Sequence, residues 1–194
     1  MSEKEAAEKT DHTPEFPKVD NPFLPEGYEV PNAESGYMRL NQGENRFRVV
    51  GSAIVGWEAW VDTDEGGRKP NRYQNKADIK ESDYKHFWAF PVYNYQEERV
   101  QILEITQKGI MNSINALVSD EDWGDPRAYD IVITRKGEGL DTEYQVQPKP
   151  AKPLEDEVQT YVDGVVKNIN LKALFDGEDP FSTENDDFEI PDDF

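Results

Sequence analysis

The chain has no cysteine and only two histidines, His12 and His86, in 194 residues. Disulfides and thiolate-bound zinc are excluded, and a hydrolytic triad would have to use His86 within a run of aromatics that has no nucleophile elbow. No apolar stretch approaches the roughly 20 residues of a membrane span. The opening Met-Ser-Glu-Lys-Glu lacks the basic and apolar regions of a signal peptide, so a soluble cytosolic protein is expected. Positive charge is also scarce: 21 Lys and Arg stand against 41 Asp and Glu, a formal charge of −20. The deficit is uneven. Residues 36–108 hold eleven basic and eleven acidic side chains, whereas both ends are strongly acidic, so the body is not repelled by nucleic acid as the whole-chain pI of 4.4 suggests.

The length suits one domain of roughly 110–130 residues with extended ends. Residues 1–35 are polar and punctuated by Pro14, Pro17, Pro22, Pro25 and Pro31, which reads as an extended arm. From Tyr37 the pattern becomes that of strands. In residues 46–50, Arg46 and Arg48 fall on one face and Phe47 and Val49 on the other, because successive strand side chains point oppositely. Gly51 permits a bend into a second strand over residues 54–61, carrying Trp57 and Trp60. Residues 62–82 are polar without periodicity and read as a long loop. Residues 85–95 and 99–105 form a hairpin pattern. Thr106 is placed to cap a helix that sets Ile110, Ile114, Leu117 and Val118 on one side and ends near Asp120. A second hairpin joins residues 129–135 to 142–147.

This order predicts a mostly β fold with one or two helices: an OB-like antiparallel barrel over residues 36–153, whose curved face suits oligonucleotides. Residues 154–175 have the apolar spacing of an amphipathic helix, weakened by Gly164. Residues 176–194 form an acidic, disordered tail. From Ala173 to Phe194 there are nine Asp or Glu and no Lys or Arg, too little apolar mass for a core and too much like charge to collapse.

Rings interleaved with basic residues are the pattern that binds single strands, since a base stacks on an exposed ring while Lys or Arg holds the phosphate. Lys85, Phe87 and Tyr93 share one face of their strand and are the expected cleft face, while Trp88, Phe90 and Val92 on the other are the expected core. Arg46, Arg48, Trp57, Trp60 and Tyr95 join the cleft set, with Arg68, Lys69 and Arg72 from the basic loop before the strand, where Lys76 and Lys80 also lie. Asp186, Asp187, Ile190, Pro191, Asp192, Asp193 and Phe194 form an acidic tail with an apolar tip, suited to lying in a basic cleft and to docking in a partner's pocket.

The tail resembles those of bacterial and phage single-stranded-DNA-binding proteins. In the body, residues 56–60 (Gly-Trp-Glu-Ala-Trp), 85–90 (Lys-His-Phe-Trp-Ala-Phe), 100–108 and 121–126 (Glu-Asp-Trp-Gly-Asp-Pro) resemble phage-encoded single-stranded-DNA-binding proteins, distantly similar to the helix-destabilising protein family. The resemblance covers residues 37–153. It implies an OB-type body that coats single-stranded DNA during phage replication and recombination, in the cytoplasm of a bacterial host. It also implies a tail that competes with DNA for the cleft and recruits replication or recombination proteins. The larger family often carries a Cys and His zinc site; the absence of cysteine removes it here.

Other readings fare worse. Residues 62–67 begin like a calcium loop, but Gly66 stands at a ligand position and Tyr73 where the bidentate Glu belongs. Asp120, Glu121, Asp122 and Asp125 would have to hold magnesium for a nuclease, yet an acidic turn after a helix is ordinarily a solvated surface. No enzymatic activity, cofactor or metal is expected. The rival from another class is an acidic DNA mimic that inhibits a host DNA-binding protein, favoured by the net charge and opposed by its concentration in the ends.

Overall fold

The computed structural model describes residues 36–181. The expected arm over residues 1–35 and the tail residues Asp186, Asp187, Ile190, Pro191, Asp192, Asp193 and Phe194 lie outside the described residues. Among the described residues, eight strands form one sheet: β1 (Tyr37–Met38), β2 (Gly43–Val49), β3 (Ile54–Asp62), β4 (Arg68–Tyr73), β5 (Lys85–Asn94), β6 (Arg99–Ile105), β7 (Asp130–Lys136) and β8 (Glu143–Pro148). Three α-helices accompany them: α1 (Lys108–Ser119), α2 (Asp156–Val166) and α3 (Ala173–Asp176). The mostly β class holds. The sheet is open and mixed, because β1 pairs parallel to β6 while the other pairs are antiparallel.

Strand β5 organises the sheet. On one side β6 accompanies it from Trp88↔Ile105 to Asn94↔Arg99. On the other its neighbour changes: β3 pairs from Ile54↔Ala89 to Glu58↔Lys85, and β2 pairs from Val49↔Val92 to Phe47↔Asn94. Pro91 occupies the changeover, where its carbonyl accepts from Val50 N at 3.0 Å. A proline lacks the ladder donor, so a central strand tolerates it where no neighbour requires an N–H. Gly51 turns the chain from β2 toward β3 there, and a Cβ on it would meet Pro91 Cγ at 2.5 Å.

Each face of the sheet has its own cover. Helix α1 sets Ile110, Met111 and Ile114 against Phe47, Val49, Phe90, Val92, Leu103, Ile105, Ile131 and Ile133, all buried. Its first turn is not capped by Thr106 as expected; Gln107 stands at the N-cap and makes no side-chain capping bond. On the opposite face Phe87, Ala89 and Ile102 pack under Leu174 and Phe175, while Tyr93 and Val100 pack under Val162. The amphipathic pattern beyond residue 154 is thus two helices. Asp156 and Glu157 open α2, where negative charge suits the helix dipole. Gly177, at φ 73°, closes α3, with Glu178 N donating to Ala173 O at 3.0 Å.

Strand β4 lies where a loop was expected. Arg68-Lys69-Pro70-Asn71-Arg72-Tyr73 has no apolar alternation, since it is an edge strand that pairs, among the described residues, with β3 alone. Pro70 and the basic side chains are typical of an edge kept from pairing further.

Candidate nucleic-acid interface

Arg46, Arg48 and Tyr95, expected to face DNA, converge on Asp130, which is fully buried. Arg46 Nε donates to Asp130 Oδ2 at 2.9 Å and Arg48 Nε to Oδ1 at 2.8 Å. The Tyr95 hydroxyl donates to the same Oδ1 at 2.9 Å. Burial alone would raise the Asp130 pKa, but the bonds from Arg46, Tyr95 and Arg48 outweigh it and hold the carboxyl below its usual range. Burial, with the bond to Asp130, pushes the Tyr95 hydroxyl up to about 12. The Arg48 side chain is 3% exposed and also donates to the backbone oxygens of Arg127 and Lys152, so it is an internal strut and not a phosphate ligand. Arg46 is partly exposed and lies 4.5 Å from the Tyr95 ring centroid.

The expected cleft rings of β5 are likewise corrected. Phe87 is 0% exposed and Tyr93 is buried, because α3 and α2 cover their face. A ring with no free face cannot stack on a base. Arg72 is also engaged internally, bonding Glu104 Oε2 at 2.7 Å and lying 4.0 Å from Glu58. Burial, and then the charge of Glu58, raise Glu104 to about 7 despite the pull of Arg72. Arg68 pairs with Asp62 at 3.3 Å, while Lys69 is exposed. Trp60 is exposed, on the face opposite Trp57, with its indole N–H donating to Glu58 Oε1 at 3.3 Å.

The rings and the cations without an ion pair among the described residues that do come together, Lys76 and Lys108, lie on the α1 face, beyond the start of that helix. The register Trp57↔His86 puts these two side chains side by side, with ring centroids 4.9 Å apart. Tyr84 meets Trp57 edge to face at 5.7 Å. Trp88, two residues along the same face, donates its indole N–H to His86 Nε2 at 3.2 Å. His86 Nδ1 is buried without a hydrogen-bond partner among the described residues. Lys76 Nζ lies 5.2 Å from the Trp57 centroid and 5.7 Å from that of Tyr84. Trp57, Lys76, Tyr84, Lys85, His86, Thr106, Lys108 and Met111 line a groove of about 640 Å³.

The electrostatics of this groove differ from those of the rest of the body. Residues 36–181 carry 18 basic and 26 acidic side chains, yet Lys76, Lys85 and Lys108 make no ion pair among the described residues. Helix α1 opens with Lys108 in its first turn, no acidic residue there and no side-chain cap. A cation at this end opposes the helix dipole, an arrangement that a bound anion relieves.

Of the expected residues, this groove is lined by Trp57 and by Lys85, although Lys85 stands opposite Glu58 in the register and its side chain alternates to the Phe87 face. It adds Tyr84, His86 and Lys108, and Lys76 from the basic loop. The register of β3 on β5 would have selected His86 from the sequence, because Trp57 pairs with it. Lys108 carries no such signal, since its place depends on how α1 docks.

No protein-family model matches the chain, and no solved structure does. The chain is similar to a probable ssDNA-binding protein of Escherichia phage T5, with 26% identity over 157 aligned residues. That alignment covers 66% of this chain and 60% of the relative, so the chain spans less than two thirds of the curated protein it resembles.

Proposed function

We propose that this protein binds single-stranded DNA without sequence preference, through the groove between β3, β5 and the start of α1. The observation that carries the reading is the Trp57, Tyr84 and His86 cluster beside Lys76 and Lys108, which make no ion pair among the described residues, on a body that is otherwise acidic. An unstacked base presents a π-face to Trp57 whatever its identity, and the lysines with the uncapped helix end receive phosphates. A duplex hides its base faces, so it engages only the charges. The name of the phage T5 relative supports the same ligand.

The role is non-catalytic: the protein coats single strands during phage DNA replication and recombination in the host cytoplasm, with residues 36–181 as the binding body. The acidic residues from Asp186 to Asp193 compete with DNA for the groove, and Ile190, Pro191 and Phe194 recruit partner proteins once DNA has displaced the tail. Tethering gives such a competitor a high effective concentration.

Titration of Trp fluorescence with oligo-dT at several salt concentrations tests the reading. Affinity falls with salt at a log–log slope of about −0.7 for each phosphate neutralised. A salt-independent affinity, or equal affinity for duplex DNA, rejects the proposal.

A further inference from the structure

The Lys76 ammonium lies 5.2 Å from the Trp57 ring centroid and 5.7 Å from that of Tyr84. Lys76 Nζ stands over both Trp57 and Tyr84, within the roughly 6 Å over which an ammonium is attracted to a ring face. A base stacking on Trp57 competes with Lys76 for the ring, whose other neighbours are His86 and Tyr84. His86 is held by Trp88, and Tyr84 meets Trp57 edge on. Lys76 is different. It is exposed, begins a short 3-10 turn (Lys76–Asp78) without a side-chain cap, and makes no ion pair among the described residues.

We propose that Lys76 is an exchangeable cap on the base-stacking face: it covers Trp57 and Tyr84 in the DNA-free protein, and an incoming base displaces its ammonium onto a phosphate of the same strand. This inference rests on the reading of the groove as a single-stranded-DNA site.

The exchange gives Lys76 two opposed effects on affinity. Its hold on the rings must be broken, which weakens binding, and its new contact with phosphate strengthens it. Salt separates the two, because the phosphate contact is lost as counterions compete, whereas attraction to an uncharged ring is less affected. At low salt the phosphate contact dominates. At high salt only the cost of uncapping remains. An ordinary phosphate-binding lysine would help at low salt, fade at high salt, and never hinder.

The test compares the full chain with its Lys76→Ala and Lys76→Arg variants by titration with fluorescent oligo-dT from low to high salt. Lys76→Ala makes the log–log slope shallower by about 0.7. It binds about threefold more weakly than the wild type at low salt and about threefold more tightly at high salt, so the two curves cross. Lys76→Arg keeps both the charge and the cap; its slope is unchanged and its curve does not cross. An unchanged slope for Lys76→Ala, or binding no tighter than wild type at any salt, overturns the cap while leaving the DNA site intact. A wild-type protein that fails to bind oligo-dT rejects the groove as a DNA site and the cap with it.

Discussion

Trp88 donates its indole N–H to His86 Nε2 across 3.2 Å, and the imidazole thus held lies 4.9 Å from the ring of Trp57. Trp88 itself packs against the core beneath α1. A residue packed against the core therefore positions His86 in the groove.

Replacing Trp88 by Phe keeps an aromatic ring in the core and removes the donor. The expected loss of oligo-dT affinity is about 0.5–1.5 kcal/mol, the net worth of one hydrogen bond. Titration beside thermal melting checks it. A variant that melts earlier but binds normally would show that the bond serves stability alone.

Trp57 and Phe87 lie on adjacent strands, at similar distances from the end of the sheet, and their truncations should have opposite effects. Trp57→Ala removes a partly exposed ring and should cost roughly 1–3 kcal/mol of DNA binding. Phe87→Ala opens a cavity beneath Leu174 and Phe175 and should cost roughly 3–5 kcal/mol of stability. Denaturant melts and DNA titrations on the same preparations separate the two outcomes.

The contrast marks what was legible in the sequence. Alternation in β2, β3, β5, β6 and β7 gives the strands and the parity of each residue, since Arg46 and Arg48 do share a face. Parity does not say which face is covered. The segment beyond residue 154 folds back as α2 and α3 onto the Phe87 face, so the mixture of charge and rings that resembled a cleft is a second core. Arg48 and Arg72 look like cations for phosphate in the sequence because their counter-charges, Asp130 and Glu104, are distant in sequence and meet them through strand pairing. Trp57 was legible because it alternates away from the covered face, where Gly56 makes room for Phe175.

Glu104 gives stability a pH dependence of defined sign. Its carboxyl is raised from an ordinary value of 4.5 to about 7 by burial and by Glu58. The folded protein thus holds this proton more tightly than the unfolded chain. The resulting stabilisation is fully present below about pH 4.5 and is lost as pH rises through about 7. Asp130 acts in the other direction and at lower pH, because its pKa is depressed and its contribution disappears as acid protonates it. Denaturant titrations across this range should show the decline between mildly acidic and neutral pH in the wild type and a flatter profile in Glu104→Gln. An identical decline in the variant would assign the effect to another group.

Deletion of residues 182–194 should raise affinity for oligo-dT, most visibly at low salt, where a tethered anionic competitor is least screened. Deleting Phe194 alone should leave DNA binding unchanged and weaken capture of replication or recombination proteins. Equal low-salt affinities for the full and truncated chains would remove the competition from the account.

Arg46 and Arg48 test which surface meets DNA, because both bond Asp130 yet differ in exposure, at 41% and 3% of their side chains. Arg48→Met leaves two backbone carbonyls without their donor and removes one of the two cations that stabilise a buried carboxylate. It should cost about 3 kcal/mol of stability, in the range for a broken buried ion pair. Arg46→Met leaves Arg48 and Tyr95 on Asp130 and should be milder, because its side chain is already partly solvated. If DNA lies in the groove on the α1 face, neither variant should change the salt dependence of binding in protein that remains folded. If the strand instead crosses the face on which Arg46 lies over Tyr95, Arg46→Met would make the log–log slope shallower by about 0.7, the share of one phosphate. Lys108→Met, measured alongside, should produce that change, so the set of three variants assigns the phosphate contacts to one face of the sheet or the other.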